Sequence, residues 1–412
     1  MNLVRSDSAH VTRSLALLGA SGSVGSTTLR YLRNLKKHSA DASISLDAVS
    51  VHRSTDLLYN VLHEFSSIRH VAITDDAAFD HASQSIQSQY PNVNFWRGAD
   101  GLVQMVEESL ADTVLTAVVG ASGIEPTMAA VRSHKKIALA NKETLVTAGP
   151  AIVHEAMKVA QSGRPVSFLP VDSEHNAAFQ MLDQMQPGRL QKLILTASGG
   201  PFRDYTVDQV RQVSRKQVLD HPTWKMGPKI SVDSAGMINK GLEIIEAHFL
   251  FDLQYDQLDA RIHRNSYVHA MAKTSDGSML LAASSPDMVF PVAHALHYPD
   301  PVPFEHVADD VANWPALEFE FVSNEKYPGF SLCLEAGRRG GTAPAILNAA
   351  NEVAVDFFLK DKIAFHQIPD LIAQSLDSIA IEDGADLGLF LEADKRTRQF
   401  LAQRYSGQRT RH

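Results

Sequence analysis

The chain has 412 residues, more than a single hydrophobic core sustains, so two or three domains are expected. Its 44% hydrophobic and 21% charged content excludes wholesale disorder, and a formal net charge of −9 argues against a general nucleic-acid binder. A single cysteine, Cys333, excludes an intrachain disulfide and a cysteine-cluster metal site, and suits a reducing compartment such as the cytoplasm.

Arg13 followed by the small apolar run 14–20 has the outline of a short signal peptide. Gly19, Gly22 and Gly25 break that run, and nothing later approaches the ~18 consecutive apolar residues of a membrane-spanning helix, so no membrane partner is expected. The segment reads instead as a buried strand, Leu15–Leu18, entering a glycine turn and then a helix from Ser26 towards Leu35. A strand over Ile44–Val51, a helix over Thr55–Phe65 and a strand over Val71–Thr74 follow. Thr113–Val119 and Lys136–Ala140 read as short strands separated by a helical Thr127–Ser133. This alternation predicts a parallel sheet covered on both faces.

The middle of the chain has strands at Val166–Leu169, Leu193–Thr196 and Ser278–Ala283, long polar loops, and a helix over Lys240–Phe251. Prolines and acidic residues between Pro299 and Pro315 suggest a linker or wrapping arm. After Gly341 the pattern is helical: Ala343–Lys360, Asp370–Ala380 and Leu391–Arg404. The expected division is 1–165, 166–297, a linker over 298–325, and 326–412.

Gly19-Ala-Ser21-Gly22-Ser23-Val24-Gly25 directly follows a strand and opens a helix, a context that favours a dinucleotide's pyrophosphate over a ligand-free tight turn. Ser21 and Ser23 add donors. The second strand ends His52-Arg53-Ser54, where an acidic residue would mark NAD. A guanidinium and a hydroxyl suit a 2′-phosphate and predict NADPH, against the plainer reading of a solvated arginine.

Val171-Asp172-Ser173-Glu174-His175-Asn176 follows an apolar strand. Read as extended chain, Asp172 and Glu174 project to one side, and two neighbouring carboxylates invite a divalent cation between them. Glu243, one helical turn beyond Asn239, is a plausible third ligand, and an all-oxygen set favours Mg²⁺ or Mn²⁺. Alone, such a pair is as well explained by capping carboxylates in a surface loop. Ser198-Gly199-Gly200 after a strand, with Ser234, Asn239 and Lys240, offers hydroxyls, an amide and an ammonium to a monophosphate. His221-Pro-Thr-Trp224-Lys-Met226-Gly227 between them reads as a flap with a covering aromatic, although a tryptophan is also an ordinary core residue.

With Ala140-Asn141-Lys142-Glu143 and Leu347-Asn-Ala-Ala-Asn-Glu352, these segments resemble, in order and over nearly the whole chain, the 1-deoxy-D-xylulose 5-phosphate reductoisomerase family. The resemblance implies an α/β protein: an N-terminal Rossmann-like NADPH domain, a central α+β catalytic domain with a flexible flap, and a C-terminal helical bundle, in a homodimer. It implies that Ser21, Gly22, Ser23, Val24, Asn141, Glu143 and Gly227 contact NADPH. Asp172, Glu174 and Glu243 match the metal ligands. Lys142, Ser173, Ser198, His221, Ser234, Asn239 and Lys240 match substrate positions, and Trp224 and Met226 the flap. Lys142, His221 and the three carboxylates would then be the catalytic set, acting on a sugar phosphate.

The chain departs from the family's pattern at His52-Arg53-Ser54, at Gly236, at Ser285–Met288 and at Arg264-Asn265. Two other functions share part of these features. A semialdehyde- or homoserine-type dehydrogenase would share the glycine turn, but the thioester-forming kind needs a central cysteine and neither kind uses a metal cluster. A non-catalytic sugar-phosphate or nucleotide sensor would bind without turnover, yet Lys142, Asp172, Glu174 and Glu243 are all intact.

Overall fold

The computed structural model describes residues 3–4, 11–38, 44–220, 227–302 and 310–405. They form two compact units. The first comprises 1–141, 155–176 and 287–308, and the second 142–154, 177–286 and 309–412.

The first unit is built on seven strands: β1 Ser14–Leu18, β2 Ser45–Val51, β3 His70–Ile73, β4 Asn94–Arg97, β5 Thr113–Thr116, β6 Lys136–Leu139 and β7 Phe168–Pro170. All neighbours are parallel, in the order β4-β3-β2-β1-β5-β6-β7. Helices cover the sheet, so Leu15, Leu17, Val49, Val71, Val114 and Ile137 are completely buried and the strands read as apolar runs. The order reverses between β1 and β5, and the loops leaving these two strands therefore flank a crevice, the place where open α/β sheets take ligands.

Two features refine the expected boundaries. Phe168–Pro170 pairs with β6 and closes the first sheet, so a division at 165 would detach an edge strand that supplies Val171 N–H to Leu139 O at 2.8 Å. The helix Val289–His297 also packs on the first unit, against the helix Ser23–His38, where Tyr31 meets His297 edge-on at 5.9 Å. Beneath it the buried Lys136 ammonium donates to Tyr298 O at 3.0 Å.

The second unit contains β8 Leu190–Ala197, β9 Leu258–Ile262, β10 Val268–Thr274, β11 Met279–Ala283 and β12 Glu320–Phe321, ordered β11-β10-β8-β9-β12. Only β8 and β9 run parallel, a mixed sheet as expected of an α+β unit. β12 lies inside the expected linker and extends the sheet edge by pairing with β9. The C-terminal helices Pro328–Arg339, Ala343–Leu359, Ile368–Ser378 and Leu387–Tyr405 pack together as the expected helical bundle within this unit. Gly241 lets the helix Ile238–Phe251 lie directly on Pro328–Arg339: a Cβ there would overlap Cys333, whose side chain is wholly buried.

Lys142 opens the helix Lys142–Gln161, which bends at Ala148 (φ −124°, ψ 23°) just ahead of Pro150. Proline lacks an N–H and crowds the preceding turn, which accounts for the bend. Gly149, beside it, accepts Phe249 of the helix Ile238–Phe251 so closely that a Cβ would stand 2.5 Å from the ring. That approach sets Lys142 against Asn239 and Glu243.

Candidate active site

In the first unit the glycine turn is tight for identifiable reasons. Gly19 has φ +85°, and a Cβ on it would lie 2.6 Å from Ala117 O on the strand-end loop after β5. A Cβ on Gly25 would overlap Gly19 O, so glycine is required there for helix-on-strand packing. Gly22 differs. Its nearest neighbours to a Cβ are at 3.5 and 3.6 Å, ordinary contact, so among the described residues no neighbour demands glycine. Ser21 and Ser23 are exposed, Val24 is half-buried, and the first turn of Ser23–His38 carries no acidic residue to offset its positive end. Across the crevice, buried Asn141 donates to Val118 O at 2.8 Å and Gly120 O at 2.9 Å, fixing the β5 loop from within.

At the end of β2, Arg53 is 72% exposed and its Nε donates to Asp75 Oδ2 at 2.6 Å. Asp75 also caps the helix Asp76–Gln89 by accepting from Ala78 N, and this bond, then Arg53, holds its carboxyl below the usual range. His52 Nδ1 lies 2.9 Å from Thr74 Oγ1, and Ser54 precedes the helix Thr55–Glu64 without a side-chain cap. The arginine is thus oriented at the strand end by a neighbouring carboxylate.

The Asp172–Asn176 segment corrects the extended reading. The chain turns helical at Ser173, beginning Ser173–Asp183, so Asp172 stands just ahead of a helix and Glu174 in its first turn. Asp172 Oδ1 accepts from Glu174 N at 3.3 Å, and Ser173 Oγ donates to Glu174 Oε2 at 2.7 Å. Both carboxylates remain partly exposed, while His175 is buried with Nδ1 3.9 Å from Asp172 Oδ1. Asn176 anchors the turn by donating to Pro170 O at 2.8 Å.

In the second unit, Lys142, Asn239, Lys240 and Glu243 form one cluster. Lys142 Nζ donates to Asn239 Oδ1 at 2.9 Å and to Glu243 Oε1 at 3.1 Å. Asn239 Nδ2 donates to the same Glu243 oxygen at 2.5 Å, and Lys240 Nζ pairs with Glu243 Oε2. Glu243 is 1% exposed and Lys240 3%, so two ammoniums and an amide share one buried carboxylate. The helical spacing places Asn239 and Glu243 on one face, as the sequence indicated.

Ser198 follows β8 in a turn in which Gly199 and Gly200 have φ +80° and +65°. A Cβ on Gly200 would stand 2.8 Å from Ser234 O, so this close backbone approach sets the Ser198 hydroxyl loop against the Ser234 segment. Ser234 lies in the helix Pro228–Ala235, and Met237 (φ +58°) turns the chain into Ile238–Phe251. Gly227 is the N-cap of Pro228–Ala235. His221, Trp224 and Met226 lie outside the described residues.

Glu143 stands in the first turn of Lys142–Gln161. It is buried, and its Oε1 accepts from Lys229 Nζ at 2.5 Å, while Lys229 also lies 2.9 Å from Asp233 Oδ2. Burial raises the Glu143 pKa, but Lys229 outweighs this and holds it below the usual range. Sequence reasoning passed over Lys229, because its partner is 86 positions away. Cys333 is buried, with its thiol pushed up by burial, and is no candidate for a thioester-forming nucleophile.

Three family descriptions match successive parts of the chain. 1-Deoxy-D-xylulose 5-phosphate reductoisomerase matches residues 15–149, its C-terminal domain 168–251, and the DXP reductoisomerase C-terminal domain 283–400. A protein of that name from Leptospira interrogans is 44% identical over 389 residues, 94% of this chain and 96% of its own. One from a Geobacillus species is 41% identical over 94% of this chain and 98% of its own. Among solved structures, a DOX-P reductoisomerase in complex with NADPH, fosmidomycin and magnesium superposes with TM-score 0.87 at 35% identity, covering 96% of this chain and 98% of that one. The Zymomonas mobilis enzyme in complex with NADPH gives 0.85 at 32%, covering 96% and 100%.

Proposed function

Because the chain belongs to the 1-deoxy-D-xylulose 5-phosphate reductoisomerase family, we propose that it converts 1-deoxy-D-xylulose 5-phosphate to 2-C-methyl-D-erythritol 4-phosphate with NADPH and a divalent metal, a step of isoprenoid precursor synthesis. The observation that carries this reading is the cluster in which Lys142, Asn239, Lys240 and Glu243 meet in the unit that also joins Ser198 to Ser234.

The proposed metal donors are Asp172, Glu174 and Glu243, three carboxylates without sulfur or imidazole, the hard-oxygen chemistry that Mg²⁺ or Mn²⁺ takes. The glycine turn fits NADPH, since Gly22 is the one glycine of the three whose bareness the chain itself does not require. When bound, the metal would supply Lewis acidity to the ketose oxygens during carbon–carbon rearrangement, and NADPH the hydride that reduces the resulting aldehyde.

The chain's own residues then divide the work. Lys142 Nζ, oriented by Asn239 and Glu243, would hold or deliver a proton at a reacting oxygen. Ser198, Ser234, Asn239 and Lys240 would hold the phosphate, which does not react but whose binding energy favours closure and water exclusion. Ser173, His221 and Trp224 complete the proposed substrate contacts, and Arg53 with Ser54 the proposed 2′-phosphate edge.

We place the protein in the cytoplasm on its single sealed cysteine; among the described residues no helix is long and apolar enough to cross a membrane. A homodimer is supported by exposed apolar side chains on the edge strand β11, where Met279, Leu280 and Leu281 are each 44% exposed. The deciding experiment is NADPH oxidation by purified protein with 1-deoxy-D-xylulose 5-phosphate, with and without Mg²⁺. Metal-dependent consumption yielding the branched polyol phosphate is expected; a folded, NADPH-binding protein without turnover would favour a sensor.

A further inference from the structure

Lys229 follows Gly227 by two residues and points its ammonium at two carboxylates from different helices. Glu143 Oε1 is at 2.5 Å and Asp233 Oδ2 at 2.9 Å, with the three side chains 17%, 8% and 1% exposed respectively. The Asp233 contact is an ion pair without hydrogen-bond alignment, and Asp233 Oδ1 accepts separately from Asn351 Nδ2 at 2.9 Å. Burial alone would lower the Lys229 pKa, but Asp233 and Glu143 raise it, so the ammonium stays charged at any working pH.

The positions of the two carboxylates give this lysine its reach. Glu143 is the chain neighbour of Lys142, and Asp233 that of Ser234. We propose that Lys229 is a positioning residue for the reaction: one buried cation ties the first turn of Lys142–Gln161 to Pro228–Ala235, holding the Lys142 ammonium and the Ser234 hydroxyl in register. Without it, two buried carboxylates confront each other and repel, and both elements carry their functional neighbours away. The proposal rests on the assignment of Lys142 and Ser234 to the site.

The test uses the full chain with Mg²⁺, NADPH and 1-deoxy-D-xylulose 5-phosphate, below the unfolding range of each variant. Lys229→Met keeps the aliphatic stem and removes the charge; it should lower kcat at least tenfold and raise the sugar-phosphate KM at least threefold. Asp233→Asn keeps the Asn351 bond and weakens only the phosphate-side arm; it should raise the sugar-phosphate KM at least threefold while the NADPH Kd stays within twofold. A merely structural lysine would lower Tm and leave these constants alone. Variants with parental near-UV circular dichroism whose kcat and KM stay within twofold overturn the proposal, and if Lys229→Met does not fold, Asp233→Asn decides alone. Parallel Lys142→Met and Ser234→Ala variants separate the two failures, since full activity in these would sink the site assignment itself.

Discussion

Lys142 Nζ lies 3.1 Å from Glu243 Oε1, and both side chains are largely shielded from water, 10% and 2% exposed. An ammonium so placed is held twice, by the Asn239 amide oxygen and by a buried carboxylate that it shares with Lys240. Lys142→Met should therefore lower kcat by roughly a hundredfold or more, on the scale of losing one preorganised donor, with only a modest change in NADPH affinity. Steady-state rates and a fluorescence titration of NADPH check both halves.

Glu243→Gln keeps the shape and removes the charge. Proposed as a metal ligand, it should raise the Mg²⁺ concentration for half-maximal rate by at least tenfold, with activity partly regained at high Mg²⁺. An unchanged Mg²⁺ dependence would leave Glu243 only the task of neutralising Lys142 and Lys240.

Arg53 is oriented by Asp75 at the end of β2. Arg53→Ala should weaken NADPH binding by roughly tenfold, the worth of one charge-assisted contact of ~1.4 kcal/mol, and leave NADH binding nearly unchanged. Equal losses for both dinucleotides would remove the arginine from cofactor selection.

Gly200 combines φ +65° with the close approach to Ser234 O. Gly200→Ala adds about 1–2 kcal/mol of left-handed strain and pushes the Ser198 loop off the Ser234 segment. The expected result is a raised sugar-phosphate KM together with a reduced kcat, read from full saturation curves.

Acid should destabilise the first unit through His297. Burial, and then the Lys136 ammonium, hold its pKa down at about 4 from an ordinary 6.5, against the opposing pull of Asp300. The folded chain keeps the imidazole neutral, whereas the unfolded chain takes up a proton as pH falls through 6.5. Its contribution is thus full above that value and is lost on acidification towards about 4, by about 2 kcal/mol near pH 5 at ~1.4 kcal/mol per unit. His297→Phe should flatten the fall in Tm between about pH 7 and 5; parallel curves for parent and variant would clear His297 of this role.

The first sheet was legible because β1, β2, β5 and β6 are buried on both faces and written as unbroken apolar runs ending in turn residues. Helices such as Asp76–Gln89 and Gly98–Glu108 escaped because their polar faces dilute the periodicity. The Asp172–Glu174 pair was read on the wrong backbone: two carboxylates two positions apart suit an extended strand equally well, and only Ser173 beginning a helix resolves the direction. Asn239 and Glu243 were readable from helical spacing alone. Lys229 was not, since an ion pair across 86 positions leaves no local pattern.

The packing of Gly241 beneath Cys333 also makes the chain a quiet background for thiol chemistry. With its sole sulfhydryl sealed between two helices, the native protein should resist alkylation and oxidants, and a cysteine introduced elsewhere could be labelled alone. The residual slow reaction of Cys333 itself would then count how often that helix pair parts, giving a clock for local opening without any added probe.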